Sequence, residues 1–167
     1  MRRSALVTLA LAVLVGGCGY SVHGTLPADI KTIAVPIFQN LTREPAVEGL
    51  ITRAVVEAFS TNGRLKVVPA AEADVILDGE VTGYSVFSIA FDQNANVRQY
   101  RLAVSVNLLL RDRRKNEVLF RQSGVREQVD FRVQNAVSQT ISLEETALKV
   151  AAVEVGRSIA SLTVTRF

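Results

Sequence analysis

Tyr100-Arg101-Leu102-Ala103-Val104-Ser105-Val106-Asn107-Leu108-Leu109-Leu110-Arg111 is the stretch on which the fold turns. Its even positions are apolar or aromatic, while Arg101, Ser105, Asn107 and Arg111 stand at odd ones. A two-residue period puts the two sets on opposite sides of an extended chain, so this is a strand with one buried and one wet face. A sheet built from such strands is open, mainly antiparallel and covered on one side.

The chain on either side carries the same signal. Upstream, the polar run Asp92 to Asn96 turns the chain. Before it, the odd positions Val75, Leu77, Val81, Phe87, Ile89 and Phe91 read as one apolar face, with Asp74, Asp78, Glu80 and Thr82 on the other. Gly79, Gly83 and Ser85 on the apolar side leave room for a helix to lie close or for the strand to bend. Leu65 to Val68 is a further short strand or the approach to one. Downstream, Arg111 to Asn116 makes a charged hairpin turn. Val118 and Phe120 then follow even phase, but Val125, Val129, Phe131 and Val133 follow odd, so a bulge or break is expected near Gly124.

Helical spacing brackets this β region. Ile30 to Phe38 alternates as a strand in which Pro36 marks an edge or a bulge. Thr42 is placed to cap a following helix, with Pro45 in its first turn. Val47, Leu50, Ile51, Ala54, Val55, Ala58 and Phe59 share one helical face, and Asn62-Gly63 supplies a left-handed stop. Asn40-Leu41-Thr42 matches a glycosylation sequon but serves better at the start of that helix. Gln134 to Thr140 reads as a polar loop, and Ser142 to Glu145 as a capping box for a second helix. Leu148, Ala151, Ala152, Val155, Ile159 and Leu162 form that helix's buried stripe. The expected fold class is α+β, a two-layer sandwich of two helices packed on a mostly antiparallel four- to five-stranded sheet, in the order β-α-β-β-β-α.

The amino terminus reads differently. Arg2 and Arg3 precede an apolar run from Ala5 to Val15, then Gly16-Gly17-Cys18. This is a secretory signal layout, too short for a bilayer span of roughly 20 residues. The expected organisation is a cleaved signal peptide at 1–17, a lipidated tether at 18–29 and one domain at 30–167. Val15-Gly16-Gly17-Cys18 resembles the lipobox of bacterial lipoproteins, which implies a diacylglycerol on the Cys18 thiol and an acyl chain on its new amino group. Each buried methylene adds about 0.8 kcal/mol, so such chains anchor a protein stably. No second cysteine exists to pair with Cys18. Gly19 after it implies, by the same resemblance, the periplasmic side of the outer membrane.

Cleavage would remove two of the 19 Lys and Arg, leaving 17 against 16 Asp and Glu and a net charge of +1 rather than +3. With that compartment, a near-neutral balance argues against a nucleic-acid partner. The single histidine, His23, lies in the tether, and no nucleophile motif, phosphate loop or zinc spacing is present, so the chain reads as no enzyme and as needing no cofactor beyond its own acyl chains.

Cys18-Gly19-Tyr20, Ile33 to Asn40, Ala73-Asp74-Val75-Ile76-Leu77-Asp78-Gly79-Glu80-Val81, Tyr100-Arg101-Leu102 and Leu110-Arg111-Asp112 in this order resemble the LptE family of lipopolysaccharide-assembly lipoproteins. The resemblance implies a plug inside the LptD β-barrel that assists barrel assembly and contacts lipopolysaccharide on its way to the cell surface. Arg111, Arg113, Arg114 and Lys115, at the hairpin tip, are the candidate anion site for its phosphates and carboxylates, against a plain solvated turn. Arg98 and Arg101 are second-rank candidates for that anion site, read more simply as ordinary outward strand residues, Tyr20 is an interface or packing residue, and Asp74, Asp78 and Glu80 are a solvated face or a cation site. Ile33 to Asn40 also resembles the opening strand of periplasmic adaptor and secretion lipoproteins, such as the curli-secretion channel subunit and peptidoglycan-synthase activators. That alternative implies a homo-oligomeric ring or a synthase partner.

Overall fold

The computed structural model describes Pro27, residues 29–133 and residues 137–165. The expected signal peptide, Cys18, Tyr20 and His23 lie outside the described residues. The elements are β1 (Thr32–Ala34), β2 (Gln39–Asn40), α1 (Val47–Asn62), β3 (Lys66–Val67), β4 (Val75–Phe91), β5 (Val97–Asp112), β6 (Glu117–Arg132) and α2 (Val137–Thr165). No described helix is long and apolar enough to cross a membrane.

The sheet runs β3-β1-β4-β5-β6, and β2 pairs with β4 beyond the end of β1. The three long strands form an antiparallel meander, while β1, β2 and β3 are parallel additions of two or three residues. The class is therefore α+β with a mostly antiparallel sheet, and six strands stand where four or five were expected.

The extra strand comes from Pro36. Ile30 to Phe38 is not one strand: β1 ends at Ala34, and pairing with β4 resumes only at Gln39. Five steps on this side, from Ala34 to Gln39, face four on β4, from Ile76 to Glu80. A residue without an N–H cannot extend the ladder, so the irregularity falls at the proline. Phe38 turns inward there, 2% exposed, and its N–H donates to Thr52 Oγ1 of α1 at 2.9 Å.

The core joins Val75, Leu77 and Val81 of β4, Leu102 to Leu110 of β5 at even positions, and Phe120, Val125 and Phe131 of β6 to the stripes of both helices. Val47, Ile51, Val55 and Phe59 of α1 are almost wholly buried, as are Ala151, Ala152, Val155 and Ile159 of α2. Burying one such large side chain contributes about 1.5–3 kcal/mol, and this shared layer holds helices to sheet.

The expected slip in β6 is present. Val106 faces Val125 but Leu108 faces Gln122, so Ser123 and Gly124 together oppose Asn107. Gly124 sits at φ 68°, and its N–H donates to Asn107 Oδ1 at 3.0 Å. The strand continues through the bulge, which accounts for Phe120 and Val125 facing the same side; Val118, beyond a further shift at Leu119, faces outward Arg111 instead, 49% exposed.

A second bulge overturns one expectation. Val81 faces Val106 and Gly83 faces Ser105, so Thr82 is an extra residue that reverses the side-chain parity of β4. Phe87 then faces Arg101 on the side away from the helices, 41% exposed, while Tyr84 and Val86 pack inward. Gly79 does make room, though for the Phe38 ring instead of a helix: a Cβ there would fall inside the ring's contact distance.

Both helix starts differ from the sequence reading. α1 begins at Val47 after Ala46 at φ 61°, with no side-chain cap. Thr42 closes a preceding turn by accepting from the Glu44 N–H at 3.1 Å, and Pro45 lies outside the helix. α2 begins at Val137, so residues 137–140 are helical and Ser142 is internal, its carbonyl accepting from Thr146 Oγ1 at 2.9 Å. The expected loop at 134–136 lies outside the described residues. The Gly63 stop holds: at φ 70°, its N–H returns to the Phe59 carbonyl at 3.1 Å.

Candidate functional site

The β5–β6 hairpin is organised by the last residue of β5. The Asp112 carboxylate, 1% exposed, accepts from the Arg114 and Lys115 N–H groups at 2.8 and 2.9 Å. Those bonds, Lys115's first, hold its carboxyl below the usual aspartate range. Asn116 at φ 53° lets the turn close, since asparagine tolerates the left-handed region.

The four basic residues divide into two places. Arg111 lies on the outer sheet face, its guanidinium on Asp78 Oδ2 at 2.6 and 2.7 Å. Arg113, Arg114 and Lys115 lie at the turn. Arg113 Nε donates to the Ala73 carbonyl at 2.6 Å, and its N–H to the Asp74 carbonyl at 2.9 Å. Arg114 reaches Asp29 at 3.1 Å and Asp74 at 3.8 Å, and Lys115 lies 4.0 Å from Asp112. Each cation already faces an acid or a carbonyl, so the turn is charged but internally matched.

The acidic trio is likewise dispersed. Asp74 stands just ahead of β4 and binds β1: Oδ2 accepts from the Lys31 and Thr32 N–H groups at 3.0 Å and from the Thr32 hydroxyl at 2.8 Å. The Lys31 N–H, then the Thr32 hydroxyl, hold its carboxyl below the usual aspartate range, and desolvation opposes them. Asp78 pairs with Arg111, and Glu80 is exposed. No group of three or more metal-type ligands occurs among the described residues. Arg101 is an outward strand residue, held by Asp130 at 2.6 and 2.8 Å, and Arg98 pairs with Asp92 at 3.1 Å.

Several ties escaped the sequence reading. Asn40 accepts from the Thr42 N–H and hydroxyl and donates to Glu44 O and Glu48 Oε2, so the sequon builds the approach to α1. Asn two residues before Thr was the available signal. Tyr84 donates to Glu144 at 2.8 Å and Ser158 to Glu127 at 2.7 Å, docking α2 on the sheet. Burial, then the Glu144 carboxylate, pushes the Tyr84 phenol well above its usual range. Nothing local marks these two pairs, which span 60 and 31 residues.

The open outer face of the sheet carries Asp78, Glu80, Asn107, Arg111, Arg101 and Asp130 in alternating rows. The sheet thus has one helix-covered face and one polar, mixed-charge face. The family model described as "LptE: Lipopolysaccharide-assembly" matches residues 30–162, and the chain belongs to that family. Its fold is similar to a lipoprotein of Caulobacter crescentus at 15% identity, covering 77% of this chain and 88% of that one with TM-score 0.53. It is also similar to a minor lipoprotein of Acinetobacter baumannii at 12% identity, 83% and 93% coverage and TM-score 0.53. Lipoprotein B of Nitrosomonas europaea gives 18% identity, 84% and 88% coverage and TM-score 0.54. At these identities the likeness is one of fold. No curated protein matches the chain by sequence.

Proposed function

We propose that the chain is a lipoprotein anchored through Cys18 on the periplasmic side of the outer membrane, where it plugs and helps assemble an LptD-like β-barrel and assists lipopolysaccharide insertion. Family membership across residues 30–162 carries the reading. The geometry supports it: a two-layer domain with one polar, mixed-charge sheet face suits a water-lined lumen, and a lipid anchor raises local concentration beside a membrane partner. The role needs no catalysis and no cofactor beyond the acyl chains on Cys18.

Contact with lipopolysaccharide is assigned, within this proposal, to Arg111, Arg113, Arg114 and Lys115. Because each already has a partner, a phosphate binds there by exchange: it takes Arg114 from Asp29 and Lys115 from Asp112.

The test is detergent extraction of native outer membranes and capture of a carboxyl-terminally tagged copy, with co-purifying proteins identified by mass. One LptD-like barrel in near-equal amount is the expected result. Recovery of a peptidoglycan synthase, or of a homo-oligomeric ring alone, overturns it in favour of an adaptor or channel role.

A further inference from the structure

β6 is an end strand of the sheet, and its outer side has no partner strand among the described residues. Its sixteen residues make it a long edge strand, of the kind proteins either protect or use. Between the Gly124 bulge and Arg132 it pairs with β5 without a register shift, so its free side is regular there as well. The Val133 N–H donates to the Arg98 carbonyl at 3.1 Å, next to the Gln99–Arg132 pair. Antiparallel ladders alternate, so the odd residues of this segment bond to β5. The N–H and C=O groups of Arg126, Gln128, Asp130 and Arg132 therefore point to the free edge.

We infer that this edge pairs with a second copy of the same chain, antiparallel, about a twofold axis at Gln128. This register sets Arg126 opposite Asp130 of the second copy, twice by symmetry, and Gln128 opposite itself. It also sets Val125 opposite Phe131 of the second copy on the helix side. Neighbouring registers with matching backbone groups are worse. Centring on Arg126 opposes two arginines, centring on Asp130 opposes two aspartates, and centring on Val129 sets Arg126 against Arg132. Centring on Glu127 leaves Asp130 facing Gly124. Opposite charges directly across a pair attract and like charges repel, so the edge's own charges choose the register.

Length agrees with charge. The chosen register pairs residues 124–132 with themselves, which is the segment bounded by the bulge and by the end of β6. A twofold contact uses both edges and closes at two copies, without growing into a fibre. Asp130 already accepts two bonds from Arg101, and a carboxylate has lone pairs left for Arg126 of the second copy. The pairing goes beyond the proposed barrel role and describes the chain outside such a complex.

The experiment is sedimentation of the full chain in mild detergent at micromolar concentration. Wild type is expected as a dimer. Arg126→Asp and Asp130→Arg each put like charges opposite each other at both pairs, and each is expected to weaken the dimer about tenfold or more. Mixing the two variants makes both cross-strand pairs opposite in sign again and restores a mixed dimer. If Asp130→Arg fails to fold through loss of its Arg101 bond, Gln128→Cys serves instead: oxidation is expected to cross-link it between copies, and Glu117→Cys not. A monomeric wild type, a dimer indifferent to Arg126→Asp, or capture of a foreign extended peptide on this edge in place of a second copy overturns the inference. Recovery of the barrel with a monomeric free chain leaves the proposed function standing and removes this pairing alone.

Discussion

Thr32 and Asp74 are bound in both directions: the Thr32 hydroxyl donates to Asp74 Oδ2 at 2.8 Å and accepts from the Asp74 N–H at 2.8 Å. The pair fastens the three-residue strand β1 to the start of β4, where only two residues of each strand are in register. Thr32→Val keeps the shape and removes the hydroxyl. It is expected to lower the melting temperature by about 4–8 °C, the size of two lost hydrogen bonds in a domain of this length.

Asp74 also makes the stability depend on pH. Its carboxyl is held below the ordinary value of 3.8 in the fold. A group depressed in this way stabilises the fold above its unfolded value and loses that contribution as pH falls through the folded one. Asp74→Asn is therefore expected to be less stable than wild type at pH 7, with the gap closing below about pH 4. Thermal melts of both proteins from pH 3 to 7 check the sign, and a gap that widens in acid contradicts it.

Two glycines are fixed by what lies against them. A Cβ on Gly156 would stand 2.6 Å from the Ala54 carbonyl oxygen, so α1 and α2 approach backbone to backbone there. Gly156→Val is expected to force the helices apart and cost about 3 kcal/mol, the upper range for overpacking. Gly79→Ala meets the Phe38 ring, and Phe38→Leu on the same chain is expected to recover part of the loss. Urea unfolding of the single and double variants measures both.

Gly124 is constrained by its backbone alone. Nothing lies within 4 Å of a Cβ built there, but φ is 68°. Gly124→Ala is expected to cost about 1–2 kcal/mol, and Gly124→Asn less, because asparagine enters the left-handed region more readily. Denaturant midpoints of the two variants decide this.

Replacing Arg111, Arg113, Arg114 and Lys115 together by glutamine is expected to abolish lipopolysaccharide binding in a purified assay. Unchanged binding assigns the hairpin to structure only. Arg114→Gln alone is expected to loosen the Asp29 end, seen as faster amide exchange at Ile30 and Lys31. Its effect on melting should be small, since exposed ion pairs contribute about 0–1 kcal/mol.

The sequence by itself determined the class of fold, because burial writes its period into the chain. The strict alternation of Tyr100 to Arg111, the two helical stripes, the Gly63 stop and the phase slip at Gly124 are all local records of which side faces oil and which faces water. Those signals place the residues of the core and both ends of the hairpin. Tertiary structure decided what depends on partners far along the chain. The parity change at Thr82 is invisible locally, since Phe87 continues the apparent pattern of Val75 and Leu77. Only pairing with β5 turns it over, and two further register shifts follow before Phe91. The early start of α2 overrode the capping signal at Ser142: with residues 137–141 already helical, no helix-start N–H groups are left there for its hydroxyl to cap. The basic hairpin was legible as charge, yet Asp29 and Asp74, whose carboxylates neutralise it, come from 85 and 40 residues earlier. Hydrophobic period is a property of neighbours, whereas charge matching belongs to residues that meet only once the chain has folded.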